Sequence, residues 1–586
     1  MRQWMVAAKK ADFYAIAEKF HVDPVVARII RNREVIGEKN IRIYLGGNLS
    51  DLSDPHQMKD MDRLVEILAQ KIRKQVHIRI IGDYDVDGVT SSHLFLTALR
   101  RVGAKVDVVI PHRIQDGYGL SLHLLQQAKE DGVDTILTCD NGIAAIDEIA
   151  WAKAQKMTVL VTDHHAVPFE EHEGRRTEKK SLADAVVNPH QQDCRYPYKE
   201  LCGAGVAWNV IRVLYENYDM DKREAEDLLD FVAMATVCDV MSLTGENRIL
   251  VKEGLKRIRH TKNIGLQALM QACNVQPENI SAYHFGYVLG PCVNATGRLD
   301  TARHALRLCE TGQETEAEEI ARDLVDLNQE RKELTLQGVE MAKKLCEEGG
   351  YENDPILVLF LPDVHESIAG LIAGRIREMY NRPVFVLTRG EEGVKGSGRS
   401  TENYSMYENM CGCAELFTKF GGHPMAAGLS LPEENVEKFR RKINENCPLT
   451  VEEVCPDIHI DMAMPVGYAS TELVHQFALL EPFGKDNPSP LFADRNLSIS
   501  RMWVIGKNRN VLRMSVLSEY GQPVPVIFFG DVETLFAYFT EKFGQEEVEN
   551  ALHGRKNRIL FSMVYTAKID FYQGNENLQL EMKYYR

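Results

Sequence analysis

The sequence predicts a multidomain α/β protein: a parallel-sheet domain, a second and smaller α/β domain, and a C-terminal β-barrel. Three observations carry this. Short β-branched runs alternate with helical stretches across residues 71–245, the pattern of βαβ units and so of a parallel sheet. A second α/β unit opens on the apolar run 356–360 and fits a domain over 346–454. From 455 onward short β-rich runs are separated by polar turns, which reads as a small barrel. At 586 residues the chain is too long for one core, and ordinary domain sizes suggest about three to four.

Taken in order, residues 1–70 are helical and polar, broken at Pro24, Gly46-Gly47 and Pro55, and read as an N-terminal helical adaptor. The parallel sheet is expected from strands over 76–81, 105–110, 135–138, 158–161 and 185–187, with helices over 121–130, 144–154 and 204–218 between them. Residues 246–345 form a helical connector, and the charged run 315–348 at its end reads as a solvated connecting helix. The second α/β unit contains two glycine-rich stretches read as turns, Gly396-Ser397-Gly398-Arg399-Ser400 and Gly421-Gly422-His423-Pro424. In the barrel, strands are expected over 497–504, 524–529, 559–565 and 578–584.

Apolar residues make up 44% and charged residues 26%, as in soluble globular proteins. No apolar run approaches the ~18 residues of a membrane span, and residues 1–19 lack a signal-peptide core, so a cytoplasmic protein is expected, with no membrane partner. Twelve cysteines without a repeating framework suit a reducing compartment, and Cys411-Gly412-Cys413 lacks metal-finger spacing. The net charge of −16 argues at first against a nucleic-acid partner. Its distribution reopens the question, because residues 497–586 hold eleven Lys/Arg against ten Asp/Glu, and bound cations cancel the field of metal-binding aspartates.

The chemistry-bearing residues lie at strand ends. Asp83, Asp85 and Asp87 occupy alternate positions just past the run 76–81, ahead of Gly88 and a helix. Alternate anions beside a buried strand repel one another unless a cation sits among them. Asp140 follows the strand 135–138, Asp163-His164-His165 follows 158–161, and Asp239 follows an apolar helix over 228–237. An acid at an element end also serves as a cap, and Asp163 is open to that reading. Oxygen-rich ligands with one or two imidazoles suit Mn²⁺ or Mg²⁺ rather than zinc. Six candidate ligands (Asp83, Asp85, Asp87, Asp140, His164 and Asp239) exceed the needs of one catalytic ion, which implies two divalent cations about 3.5 to 4 Å apart, an arrangement for attack of water at phosphorus.

In this order Asp85-Val86-Asp87-Gly88, Asp140-Asn141-Gly142, Asp163-His164-His165 and Asp239 resemble the DHH phosphoesterase superfamily, and the stretch from Gly421-Gly422-His423-Pro424 to Gly428 resembles its DHHA1 domain. Pro111-His112-Arg113, the stretch from Gly290 through Asn294 to Arg298, and Glu481-Pro482-Phe483-Gly484 with Asn487-Pro488 narrow the resemblance to the RecJ family of single-strand-specific exonucleases. It covers roughly residues 70–586. It implies a DHH domain, a connector, a DHHA1 domain and an oligonucleotide-binding (OB) fold, acting from the 5′ end of single-stranded DNA and releasing mononucleotides in repair and recombination. The resemblance further implies Asp83 and Asp85 on one ion, Asp87, His164 and Asp239 on the other, Asp140 bridging, and His165 orienting a ligand or donating to the phosphate. Asn294 and His423 join the implied substrate-binding residues. Two departures stand out: Ile81 where many relatives carry a His ligand, and His365-Glu366-Ser367-Ile368-Ala369-Gly370 where His-x-Gly-Val-Ile-Gly is usual.

A 5′-end enzyme must hold a terminal phosphate, for which arginine is the forked donor. Arg113, Arg298, Ser397 and Arg399 lie in Gly- or Pro-rich surroundings suited to that task. In the barrel, Trp503, Phe528, Tyr565 and Tyr572 with Lys507, Arg509, Arg555, Lys556 and Arg558 are expected to offer base stacking beside a phosphate track, with half of the aromatics in the core. No nucleotide-binding P-loop is present, so unwinding is expected from a partner helicase, alongside a single-strand-binding protein. Two alternatives remain at this point: a relative cleaving short oligoribonucleotides or cyclic dinucleotides, against which the ~130 residues after the DHHA1 region count, and a non-catalytic DNA-binding scaffold.

Overall fold

Five strands form the all-parallel sheet: β1 (Ile78–Ile81), β2 (Val106–Val109), β3 (Thr135–Cys139), β4 (Thr158–Thr162) and β5 (Ala185–Val187), in the order 2-1-3-4-5. All residues of β1 and β3 are buried, which is why both read as continuous apolar runs instead of alternating ones. The one charge in β1, Arg79, is neutralised by Asp107 at 2.7 Å and Asp131 at 2.8 Å. Helix α1 (Val86–Arg101) follows β1, α2 (Leu122–Glu130) precedes β3, α3 (Ile146–Ala154) follows it, and α4 (Gly203–Asn217) and α5 (Leu229–Cys238) come after β5. The strand order reverses between β1 and β3. In open α/β sheets that switch point is where ligands bind.

The computed structural model describes residues 3–586 apart from 114–115, 117–118, 173–174, 300, 391–392, 507–508 and 573. The chain divides into two compact units, Leu52–Pro456 in one and Gln3–Asp51 with Asp457–Arg586 in the other. The stretch 1–70, read from sequence as one adaptor, is therefore divided between them.

In the first unit the connector contains α6 (Gly290–Leu299) and the 35-residue helix α7 (Glu314–Glu348). The latter is not solvated all round. Ala317, Ile320, Ala321, Leu324, Val339 and Ala342 form a buried stripe at helical spacing. Gly338 lies in it because a Cβ there would stand 2.3 Å from Ile372 Cδ1. Ile372 belongs to α8 (Glu366–Tyr380), which follows β6 (Leu357–Phe360). Beyond it, β7 (Val384–Gly390), β8 (Gly393–Arg399), β9 (Lys419–His423) and β10 (Ala426–Leu431) complete a second sheet in the order 9-10-8-7-6, parallel only between β6 and β7. Both glycine-rich stretches expected as turns thus contribute strand residues. Gly396 and Gly398 face the core, where a Cβ would meet Leu387 at 2.4 Å and Met406 at 2.3 Å, so only glycine fits on that side of β8.

The second unit contains a closed five-stranded barrel of β11 (Phe492–Ile505), β12 (Val511–Leu517), β13 (Pro523–Phe529), β14 (Leu560–Tyr572) and β15 (Asn575–Tyr585). β11 pairs with β12 and with β14, β12 with β13, and β14 with β15, all antiparallel, while β13 and β15 close the circle in parallel. Strand β12 was not anticipated, although Leu512, Met514 and Val516 alternate inward. The N-terminal helices Phe13–Phe20, Pro24–Asn32 and Glu38–Gly46 share this core through Ala17, Val26, Ile29, Ile30, Ile41 and Tyr44. Asn487 fastens them: it accepts from Tyr44 Oη at 2.8 Å and donates to the carbonyls of Leu480 and Pro482 at 2.8 and 2.7 Å. The Glu481-to-Asn487 motif therefore joins helices to barrel.

Candidate metal centre

Asp83, Asp85 and Asp87 leave the end of β1 and enter α1, whose N-terminus Asp85 caps by accepting from Gly88 N at 3.0 Å. A side chain at position 88 would lie 2.4 Å from Asp83 N, so the glycine allows this tight passage. Asp87 reaches across to α4, where Gly203 N and Ala204 N donate to its two oxygens at 2.6 and 2.8 Å, placing an anion at the positive end of a helix. Asp140 follows β3 with φ 61°, a left-handed conformation tolerated by aspartate. Gly203 again permits the approach, since its Cβ would fall 2.6 Å from Asp140 Cβ.

His164 and His165 follow β4, and Asp163 fixes both. Its carboxylate accepts from the backbone N–H groups of Ile143, His164 and His165 at 2.9, 2.7 and 3.1 Å, and lies 2.8 Å from His165 Nδ1. It acts as an orienting cap, with its lone pairs occupied by protein donors. Asp239, at the end of α5, contributes from the opposite side.

These elements bring the six sequence-proposed ligands together. Ligand atoms of Asp83, Asp85 and Asp140 lie within 4.8 Å of one another, as do those of Asp87, His164 and Asp239, and those of Asp140, His164 and His165. His164 Nε2 stands 3.0 Å from Asp140, 3.6 Å from Asp239 and 3.7 Å from Asp87. Burial and the neighbouring carboxylates push the Asp83, Asp85 and Asp140 carboxyls above their ordinary range. Both Asp83 oxygens are buried without a side-chain hydrogen-bond partner among the described residues. Burial lowers His164. For His165 burial acts in the same direction, but Asp163 and the other acids outweigh it and hold the imidazole at about 9. Ile81 is fully buried in β1.

Arg113, Asn294 and Arg298 line the same cavity, of about 290 Å³, as the Asp83–Asp87 loop. Asn294 Oδ1 accepts from Val86 N at 3.1 Å and so ties α6 to the loop. Arg298 is mostly buried and donates to Ser367 O at 2.6 Å; burial, with repulsion from Arg113, Arg331 and Arg399, lowers it to about 10. Burial and then Arg113 also lower Arg399. Guanidinium groups crowded in this way favour an anion among them. A second cavity of about 420 Å³ shares Arg113 with the first and is lined by Ser367, Lys395, Ser397 and Lys419. Lys395, Ser397 and Arg399 project from one face of β8. The lysines were missed because a strand's alternation is invisible in a stretch read as a turn. His423 is exposed at the end of β9 and lines neither cavity. His365 caps α8 and bonds Ser367 Oγ at 2.7 Å.

In the barrel the four proposed aromatics separate. Tyr565 is buried with its hydroxyl on Met464 O at 2.8 Å, and Phe528 is buried too. Trp503 is partly exposed with Arg501 over its ring at 5.7 Å. The side chain of Tyr572 and all of Lys507 lie outside the described residues. Sequence reasoning passed over Phe529 and Phe571, which are exposed, Phe529 with Lys568 over its ring at 5.7 Å.

Three family models match in chain order: the DHH family N-terminal domain over 77–236, the DHHA1 domain over 353–447 and the RecJ OB domain over 460–584. Fold and site together are those of a DHH-family phosphoesterase. The chain is 32% identical over 582 residues to the single-stranded-DNA-specific exonuclease RecJ of Haemophilus influenzae, covering 96% of each protein. It is 33% identical over 512 residues to the Bacillus subtilis protein of that name, spanning 87% of this chain and 63% of that one. The crystal structure of RecJ in complex with Mn²⁺ from Thermus thermophilus superposes with a TM-score of 0.81 at 25% identity, over 100% of this chain and 79% of that one. The chain belongs to the RecJ family.

Proposed function

We propose that this protein is a divalent-cation-dependent exonuclease that degrades single-stranded DNA from the 5′ end to mononucleotides. The observation that carries this is the placement of three overlapping Asp/His triads at the sheet's switch point, of which Asp83, Asp85, Asp87 and Asp239 line a cavity together with Arg113 and Arg298. The donor set suits Mn²⁺ or Mg²⁺, and a cation there would relieve the burial and mutual repulsion that raise the Asp83, Asp85 and Asp140 carboxyls. Asp83, Asp85 and Asp140 would hold one ion and Asp87, His164 and Asp239 the other, with Asp140 between them. Ions bound there would activate water and neutralise charge at the phosphodiester.

The chain's own residues supply the positioning. Asp163 holds His165 toward the triads, and Asn294 fixes the Asp83–Asp87 loop. Arg113 spans the metal cavity and the second cavity, so a terminal phosphate bound by Arg113, Arg298, Ser397 and Arg399 would set the strand's polarity. Exposed Trp503 and Phe529, each under a cation, are platforms on which bases of the strand stack. A helicase and a single-strand-binding protein would provide and protect the single strand, in the cytoplasm. None of the described helices is long and apolar enough to cross a membrane.

The test is hydrolysis of 5′- and 3′-labelled single-stranded DNA with Mn²⁺, Mg²⁺ or chelator. Mononucleotides released first from the 5′ label, only with metal, are expected; release from the 3′ label overturns the polarity. Arg298→Ala is expected to erase the preference for a 5′-phosphate over a 5′-hydroxyl, a difference of about 1.5 to 3 kcal/mol for a charge-assisted hydrogen bond. Equal loss on both substrates would make Arg298 a general backbone contact.

A further inference from the structure

One pair of nucleophilic side chains lies together outside both cavities. Cys273 ends the helix Ile264–Ala272 and Cys292 lies in the first turn of α6, with their Sγ atoms 3.8 Å apart. Cys292 is buried and Cys273 only half-buried, so a small reagent reaches the pair from the Cys273 side. Cys292 Sγ donates to Val288 O at 3.3 Å and accepts from Asn328 Nδ2 at 3.3 Å. When Cys273 ionises, the Cys292 S–H can turn from Val288 O to the thiolate, and that hydrogen bond, with the charge of Lys332, holds the Cys273 thiol below its ordinary range and raises the thiolate fraction that reacts. The same helix carries Asn294 and Arg298, so Cys292 is two residues from the group that ties α6 to the Asp83–Asp87 loop.

We propose that Cys273 and Cys292 are a peroxide-sensitive dithiol whose oxidation to a disulfide displaces α6 and slows the enzyme. The Cys273 thiolate attacks one oxygen of a hydroperoxide; the O–O bond breaks, Cys273 becomes a sulfenic acid, and the departing hydroxide or alkoxide takes up the proton released when the thiol ionised, leaving as water or an alcohol. The Cys292 sulfur then attacks the Cys273 sulfur, the S–S bond forms, and the sulfenic oxygen departs as water with the Cys292 proton. Two thiols lose two electrons and the peroxide gains them. Bonding requires the sulfurs to close from 3.8 Å to about 2.05 Å and removes the S–H that bonds Val288 O. Reversible disulfides of this kind are the form in which cysteine pairs act as sensors in reducing compartments. A misplacement of about 1 Å in a catalytic arrangement costs up to roughly 10²-fold in rate, so a fall of about ten-fold is expected here. The rate effect rests on the exonuclease reading, but the disulfide does not.

The experiment treats the full chain with hydrogen peroxide, maps disulfides by peptide mass, and follows hydrolysis of single-stranded DNA before and after dithiothreitol. A Cys273–Cys292 link forming ahead of modification at the other cysteines, with a rate loss of about ten-fold that dithiothreitol reverses and Cys273→Ser abolishes, is the result expected. Absence of the link while other cysteines oxidise overturns the proposal, whatever the nuclease assay reads. So does a link without loss of rate, or an equal loss in Cys273→Ser. Cys292→Ser, which keeps a hydroxyl donor for Val288 O, is expected to be active and resistant; sensitivity in that variant also overturns the proposal.

Discussion

Two regions bury an aspartate to nearly the same depth and provide for it in opposite ways. Asp83, at the switch point of the parallel sheet, is 1% exposed, and its oxygens meet no side-chain donor among the described residues. Asp461, in the second unit, is 6% exposed and fully served: Arg33 grips it at 2.7 and 3.1 Å, and Leu491 N donates at 3.0 Å. A buried anion without partners costs several kcal/mol, so it persists only where something outside the chain completes it. The first aspartate is one of the proposed metal ligands and the second is architectural. The histidines divide as well, with the pairing reversed. His165 is paired with Asp163, whereas His93 in α1 packs beside Phe231, its ring centroid 4.5 Å away, and burial lowers it to about 4.

The contrast is broken most severely at Asp140, common to two triads. Asp140→Ala is expected to lower the hydrolysis rate by at least ~10³-fold, about 4 kcal/mol of barrier, with an unchanged circular dichroism spectrum. Substantial residual turnover with Mn²⁺ would remove Asp140 from its bridging position. Asp461→Ala has the converse signature. Arg33 is left buried and unpaired, and the second unit is expected to lose about 3–5 kcal/mol, read as early hydrogen exchange in the helix Pro24–Asn32, while cleavage of very short oligonucleotides survives. Deleting 457–586 alone should cause aggregation, because Val25, Val26, Ile29 and Ile30 would lose their core; removing 3–51 as well avoids it.

A smaller effect separates the histidines. An unfolded His93 binds a proton below about 6.5, but the folded one does so only near 4, so its contribution is complete above 6.5 and falls as pH drops toward 4. At pH 5 the loss is roughly 2 kcal/mol, and His93→Leu should flatten the decline of melting temperature between pH 6.5 and 4.5. An equally steep decline in the variant would place the acid sensitivity elsewhere. The smallest effect expected is at Asp83. In chelator, Asp83→Asn should raise the melting temperature by a few degrees, since it removes a repelled charge. A lower melting temperature would mean that the carboxylate has a partner in the folded chain.

Most of the first unit's fold was legible, because a strand buried on both faces must be a short apolar run and a connecting helix must be amphipathic. The strands at 78–81, 135–139 and 158–162 fall within a residue or two of expectation for that reason. The acids at their ends were equally visible, being out of place beside such runs. β8 was not legible, since its glycines answer to Leu387 and Met406, residues brought near only by the folded sheet, and the basic face of Lys395, Ser397 and Arg399 was lost with it. The partner of the N-terminal helices lies more than 400 residues away in the chain, as the Arg33–Asp461 pair shows, and no local pattern announces it.

The sequence by itself therefore singled out the candidate acids and histidines and their places at strand and helix ends, because periodicity and charge are local properties. Only the tertiary structure decided which of them share a site. The strand order 2-1-3-4-5 brings the ends of β1 and β3 side by side, Gly203 admits α4 against Asp140, and the saturated hydrogen bonds of Asp163 make it an orienting group in place of a ligand. These are matters of long-range packing, in which the position of one residue is set by the size and donors of residues far along the chain.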